Sequence, residues 1–137
     1  MSALLRAAGR TALSAVFITG GLKTFKAADQ MAPVFENTIT SWGLGSLQER
    51  AGGAENLIKA SSGTMVGGGT LLALGLTPRL ASTALLGALI PTTLAGHAFW
   101  EKDGEEAKKE QIQFLKNLAL AGGLLSIMGT PRSRSTK

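Results

Sequence analysis

Leu80–Trp100 reads LASTALLGALIPTTLAGHAFW, 21 residues with no formal charge when His97 is neutral. A helix needs about 20 apolar residues to cross roughly 30 Å of hydrocarbon, so this run alone meets the length of a membrane span. Two neighbours meet it as well. Ala60–Pro78 gives 19 uncharged residues, and Gln111–Pro131 gives 21 with Lys116 as the single charge. Towards the start, Thr11–Leu22 has only 12 uncharged residues, about 18 Å of helix at 1.5 Å per residue. Arg6 and Arg10 before it, and Lys23 and Lys26 after it, can lengthen it by snorkelling to the two surfaces. The alternatives for this first run are an interfacial helix and a signal peptide, although no clear cleavage site follows its apolar core. The expectation is an all-α, integral membrane four-helix bundle. It forms one domain over residues 1–131, with spans near 8–26, 57–77, 79–101 and 109–130.

Composition agrees. Of 137 residues, 45% are hydrophobic and only 17% charged, low for a soluble domain. The mean hydropathy is +0.20 even though both ends are polar. There is no cysteine and one histidine. Disulfides, thiolate chemistry, cysteine-based metal sites and bis-histidine haem ligation by one chain are thereby excluded. The net charge of +5 does not point to nucleic acid. The basic residues flank apolar runs, and no basic patch carries interleaved aromatics. Anionic lipid headgroups are the simpler partner.

Between the first two runs lies a polar connection, residues 27–54, read as a long loop that holds Pro33, Trp42 and the pair Gly52-Gly53. Thr77-Pro78-Arg79 is a tight turn where one helix halts and the next begins. Glu101–Glu110 is a charge-dense linker with Asp103-Gly104 as its turn signal. Residues 132–137 form a short basic tail, expected to be disordered. Placing both termini in the cytoplasm of a plasma-membrane protein collects Arg6, Arg10, Arg79, Arg132, Arg134 and Lys137 on one side with no acidic residue. The raw Lys/Arg count runs the other way, at 6 against 8. The bias is set by short flanks, however, and the opposite side includes the long connection.

Helices in lipid associate through close packing and hydrogen bonds, because lipid is as apolar as leucine. Gly63, Gly67 and Gly75 fall at multiples of four, and Gly87 and Gly122 supply small residues to the later helices. The expected use is packing within the bundle, with a homo-oligomer face as the alternative. Pro91, in mid-span, removes one backbone donor and frees the Gly87 carbonyl, which predicts a kink.

Few polar groups interrupt the apolar runs. His97, with Phe99 and Trp100 beside it, and Lys116-Asn117 come together if the last two spans form a hairpin. With the turn at Asp103-Gly104, Lys116 faces the level of Pro91. With the turn nearer Glu106, it approaches His97. Ionisable residues in a span are costly and usually have a partner or a role. His97, Phe99, Trp100, Lys116 and Asn117 are therefore a candidate site for a quinone or lipid headgroup. The histidine and lysine would bond the carbonyls, and an aromatic would stack on the ring. The plainer reading makes Trp100 an interface anchor, Lys116 a snorkelling lysine and His97 a helix-end cap. No catalytic residue and no metal site stand out. Acid–base work by His97 would need an orienting group that the sequence does not show. The charges of Glu105, Lys109 and Glu110 read as a solvated extension of the last helix.

Several stretches resemble the DoxX family, most closely its actinobacterial branch. They are Phe17-Ile-Thr-Gly-Gly-Leu22, Leu57–Gly63, Leu71–Gly75 with Pro78–Ala81, Ile90-Pro-Thr-Thr-Leu-Ala-Gly-His-Ala-Phe-Trp-Glu101, and Gln113-Phe-Leu-Lys-Asn117 followed by Gly122–Leu125. The likeness covers roughly residues 10 to 128. It implies a four-helix membrane protein with redox partners. The family is named for subunits tied to quinone-coupled sulfur oxidation, and mycobacterial relatives are associated with a membrane oxidoreductase complex. The chain departs from the family in its second span, where many members bear a buried glutamate and this one has Thr64 and Met65. The expected role is a small non-catalytic subunit that anchors or assembles a membrane redox complex. The alternative is a quinone- or lipid-binding redox subunit. A small transporter is a weaker third, since only Pro91 hints at broken helices.

Overall fold

A computed structural model describes residues 2–131, and among these every regular element is helical. The tail assigned to residues 132–137 lies outside the described residues. In chain order the helices are α1 (Ala3–Lys26), α2 (Ala28–Ser41), α3 (Gly45–Ala51), α4 (Ala54–Ala73), α5 (Pro78–Gly96) and α6 (Gly104–Gly129), with a 3-10 turn at Phe99–Glu101 before α6.

Local chemistry sets the boundaries. Ser2 caps α1, its hydroxyl accepting from the Leu5 N–H at 3.2 Å, which satisfies one of the orphan donors at a helix start. Pro78 opens α5, where its missing N–H costs nothing. The chain reverses between α4 and α5 through Gly75 at φ +72°, a left-handed conformation open to glycine without strain.

The connection 27–54 is not a loop. It folds into α2 and α3, because Ala28, Met31, Ala32, Phe35 and Ile39 recur at helical spacing and turn inward, while Asp29, Gln30 and Glu36 stay exposed. α2 packs chiefly on α4, and α3 folds back against both.

Four helices share the core. Phe17 of α1, Met65 and Leu72 of α4, Ala81, Leu85, Ala88 and Leu89 of α5, and Leu124 of α6 form one buried cluster. α1 against α4 is the most extensive helix contact, followed by α4 with α5 and α5 with α6.

Glycines make the close approaches, but not those with the four-residue spacing. Gly63, Gly67, Gly87 and Gly122 have nothing within 4 Å of where a Cβ would stand. Gly21 lies against the Ser62 carbonyl and Met65, Gly68 against Leu85, and Gly69 against Ile18 and the Ser14 carbonyl. The contact surface of α4 is thus rotated about 100° from the expected stripe, one residue along the helix. Gly75 touches the Arg10 guanidinium instead of a helix.

Among the described residues two segments are long and apolar enough to cross a membrane, Pro78–Glu101 and Gly104–Gly129. In a soluble protein such helices would form the core. Here only 33% and 11% of their most apolar windows are buried. Leu80, Ile112, Leu115, Leu118 and Leu125 point outward, which suits hydrocarbon and not water.

Candidate functional site

α5 unwinds at the glycine–histidine pair. His97 caps it, its N–H reaching the Thr93 carbonyl at 3.0 Å, and the 3-10 turn then leads to α6. The hairpin register brings the His97 Nδ1 to 2.6 Å from Glu110 Oε2, and each side chain is only 28% exposed. With Glu110 ionised, the ring nitrogen donates and the carboxylate accepts. Glu110 is the partner that sequence reasoning missed. Its charged neighbours made it look solvated.

The five predicted site residues separate into four groups, of which His97 with Glu110 is the first. Phe99, Trp100 and Phe114 pack edge to face, with ring centroids 5.3, 5.4 and 5.9 Å apart, an arrangement that the ring quadrupoles favour. The rings serve one another and do not stand open as two walls of a slot. Asn117 is buried and gives its amide Nδ2–H to Thr93 Oγ1 at 2.9 Å, while the Thr93 hydroxyl donates to the Leu89 carbonyl at 2.7 Å. Lys116 points outward and bonds Gln113 Oε1 at 2.6 Å. It does not join His97.

Pro91 lies inside α5 without ending it. The two threonines that follow return their hydroxyls one turn back, Thr92 to the Ala88 carbonyl and Thr93 to that of Leu89, both at 2.7 Å. Neither reaches the Gly87 carbonyl that Pro91 leaves without its usual donor.

Beside Pro91 the structure opens into an apolar cavity of about 460 Å³ that the sequence did not reveal. Phe35, Ile39 and Trp42 of the α2 segment roof it, and Leu57, Met65 and Pro91 line its floor. Its few polar groups are hydroxyls. Ser61 Oγ stands 3.4 Å from Thr92 Oγ1, and Ser62 Oγ is buried with no partner among the described residues. Such a cavity, mostly apolar with a few polar points, has the character of a small-molecule site. His97, Lys116 and Asn117 are not part of its wall. Among the described residues no three His, Asp or Glu side chains group to hold a metal ion.

Helices throughout the described residues, two of them of membrane length with outward apolar faces, suit a helical membrane protein. The family model of DoxX matches residues 5–98, more than half of the sequence, and the chain belongs to the DoxX family. The matched span takes in the Pro91–His97 stretch and stops before α6, so the Phe114–Asn117 motif lies beyond it. No curated protein and no solved structure matches the chain.

Proposed function

We propose that α1, α4, α5 and α6 each cross the plasma membrane as a four-helix bundle, with α2 and α3 at one surface and both termini on the cytoplasmic side. The outward apolar faces of α5 and α6 carry this reading. Charge supports the orientation. Arg6, Arg10 and Arg79 gather at one end, and among the described residues that line the cavity there none is Asp or Glu, as expected of a cytoplasmic face.

In that setting the chain serves as a small non-catalytic subunit that anchors or assembles a redox complex. Support comes from membership of DoxX and from the surface of the α2–α3 segment. Val34, Trp42, Leu44 and Leu47 are exposed there, an apolar rim suited to the membrane interface or to a partner subunit. A second reading, binding of a quinone or lipid, is favoured by the 460 Å³ cavity. It moves the ligand from the His97 cluster to the space between α2 and Pro91, where hydroxyls replace the histidine and lysine as hydrogen-bonding groups.

Pull-down of the intact chain in mild detergent, with mass spectrometry of proteins and bound lipids, tests both. The subunit reading expects stoichiometric redox-enzyme subunits, and their recovery should survive His97→Ala. Recovery of the chain alone with bound quinone contradicts it and supports the second reading. In that case Met65→Trp, which fills the cavity, should release the quinone.

A further inference from the structure

A larger cavity, about 1140 Å³, lies where α1 begins, α4 turns into α5 and α6 ends. Its lining is divided by chemistry. Leu13, Val16, Leu120 and Ile127 make an apolar wall, and Arg6, Arg10 and Arg79 supply three guanidiniums with no Asp or Glu in the lining. The nine Asp and Glu residues, from Asp29 to Glu110, belong to α2, α3, the start of α4, the α5–α6 connection and the first two turns of α6, at the opposite end of the helices.

Arg10 is the central group. Its Nε is shut off from solvent and has no hydrogen-bond partner among the described residues, which is costly for a buried donor unless an acceptor reaches it. Gly75 holds it close. A Cβ there would stand 2.9 Å from an Arg10 terminal nitrogen. Across the cavity, Arg79 donates to the Thr130 carbonyl, tying α5 to the end of α6. One such bond does not exhaust a guanidinium, which carries five N–H donors.

We propose that this cavity binds the headgroup of an anionic phospholipid, with Arg10 and Arg79 donating to the phosphate. The first carbons of the acyl chains run along the Leu13–Ile127 wall towards the hydrocarbon. Guanidinium forks match phosphate oxygens, and basic pockets between membrane helices are suited to lipid headgroups. Free phosphate would use the arginines but not the apolar wall. The inference rests on the membrane-spanning reading and deepens it by naming a lipid for one leaflet.

The full chain in mild detergent, incubated with phosphatidylglycerol or with phosphatidylcholine of the same acyl chains, gives the test through lipid adducts in native mass spectrometry. Phosphatidylglycerol is expected to be retained on the order of tenfold more, and Arg10→Gln or Arg79→Gln should each remove most of that preference. Lys102→Gln, an equal loss of charge at the other end, should leave it intact. Should Arg10→Gln fail to fold, Arg79→Gln carries the comparison. Equal retention of both lipids, or arginine variants that behave like Lys102→Gln, overturns the proposal. Displacement of phosphatidylglycerol by millimolar inorganic phosphate overturns it in favour of a free-phosphate site. Extraction of cell membranes with alkaline carbonate separates the two failures. If the chain washes off, the membrane reading falls and takes this site with it. If it stays but shows no lipid preference, only the site falls.

Discussion

Gly21→Val is expected to force α1 away from α4 and to give one of the largest losses of stability available to a single substitution. Even the first carbon added at Gly21 would lie 2.9 Å from the Ser62 carbonyl oxygen, 3.0 Å from Met65 Cβ and 3.0 Å from Val66 Cγ2. The nearest of these is backbone and cannot swing aside, so the helices themselves must shift. Overpacking of this kind costs typically about 1–3 kcal/mol, and the branched valine belongs at the upper end. Gly20 is the control next door. It is exposed, with nothing within 4 Å of a Cβ, so Gly20→Ala should be neutral or stabilising by about 0.5–1 kcal/mol through helix propensity. Unfolding midpoints in mixed detergent and SDS, followed by circular dichroism, compare the pair. Equal midpoints for Gly21→Val and Gly20→Ala would mean that α1 does not pack on α4 through this glycine.

Leu85→Ala is the second. Leu85 is fully buried, and its Cγ and Cδ2 sit 3.0 Å from where a Cβ on Gly68 would be. Truncating such a leucine costs about 2–5 kcal/mol. In a bilayer the transfer part of that sum weakens, because lipid is itself apolar, and the lost contacts remain. The geometry also predicts compensation. Gly68→Ala alone crowds Leu85, yet in the Leu85→Ala background the added methyl enters vacated space. The double variant should therefore be more stable than the two single losses imply, by a coupling of about 0.5–3 kcal/mol. Strict additivity would contradict the α4–α5 packing described here.

The long apolar runs of α5 and α6 were legible in the sequence, because span length is a property of composition and needs no tertiary information. The α2–α3 segment was not read as helical. Charge-free length does not single it out, and Pro33 and the Gly52-Gly53 pair are loop signals. The inward pattern from Ala28 to Ile39 was available and points to a helix. The glycine spacing in α4 was visible, but spacing does not give the direction a face points. Gly63 and Gly67 turn outward, whereas Gly68 and Gly69, one residue along, meet α5 and α1.

The candidate site divides in the same way. Placing the hairpin turn at Asp103-Gly104 sets Lys116 level with Pro91, and that register also puts Glu110 opposite His97. The pair was within reach of the sequence, yet charge density around Glu110 hid it. The two cavities were not within reach. Each forms where three or more helices diverge, and no local pattern records that.

The chain has no cysteine, so single cysteines can report its topology directly. Asn37→Cys in α2, Thr77→Cys in the α4–α5 turn, Asp103→Cys before α6 and Thr130→Cys after it can each be treated in intact cells with a membrane-impermeant maleimide. Asn37→Cys and Asp103→Cys are expected to label from outside, while Thr77→Cys and Thr130→Cys label only after the cells are opened. Labelling of all four from the same side would contradict a chain that threads the bilayer through α4, α5 and α6.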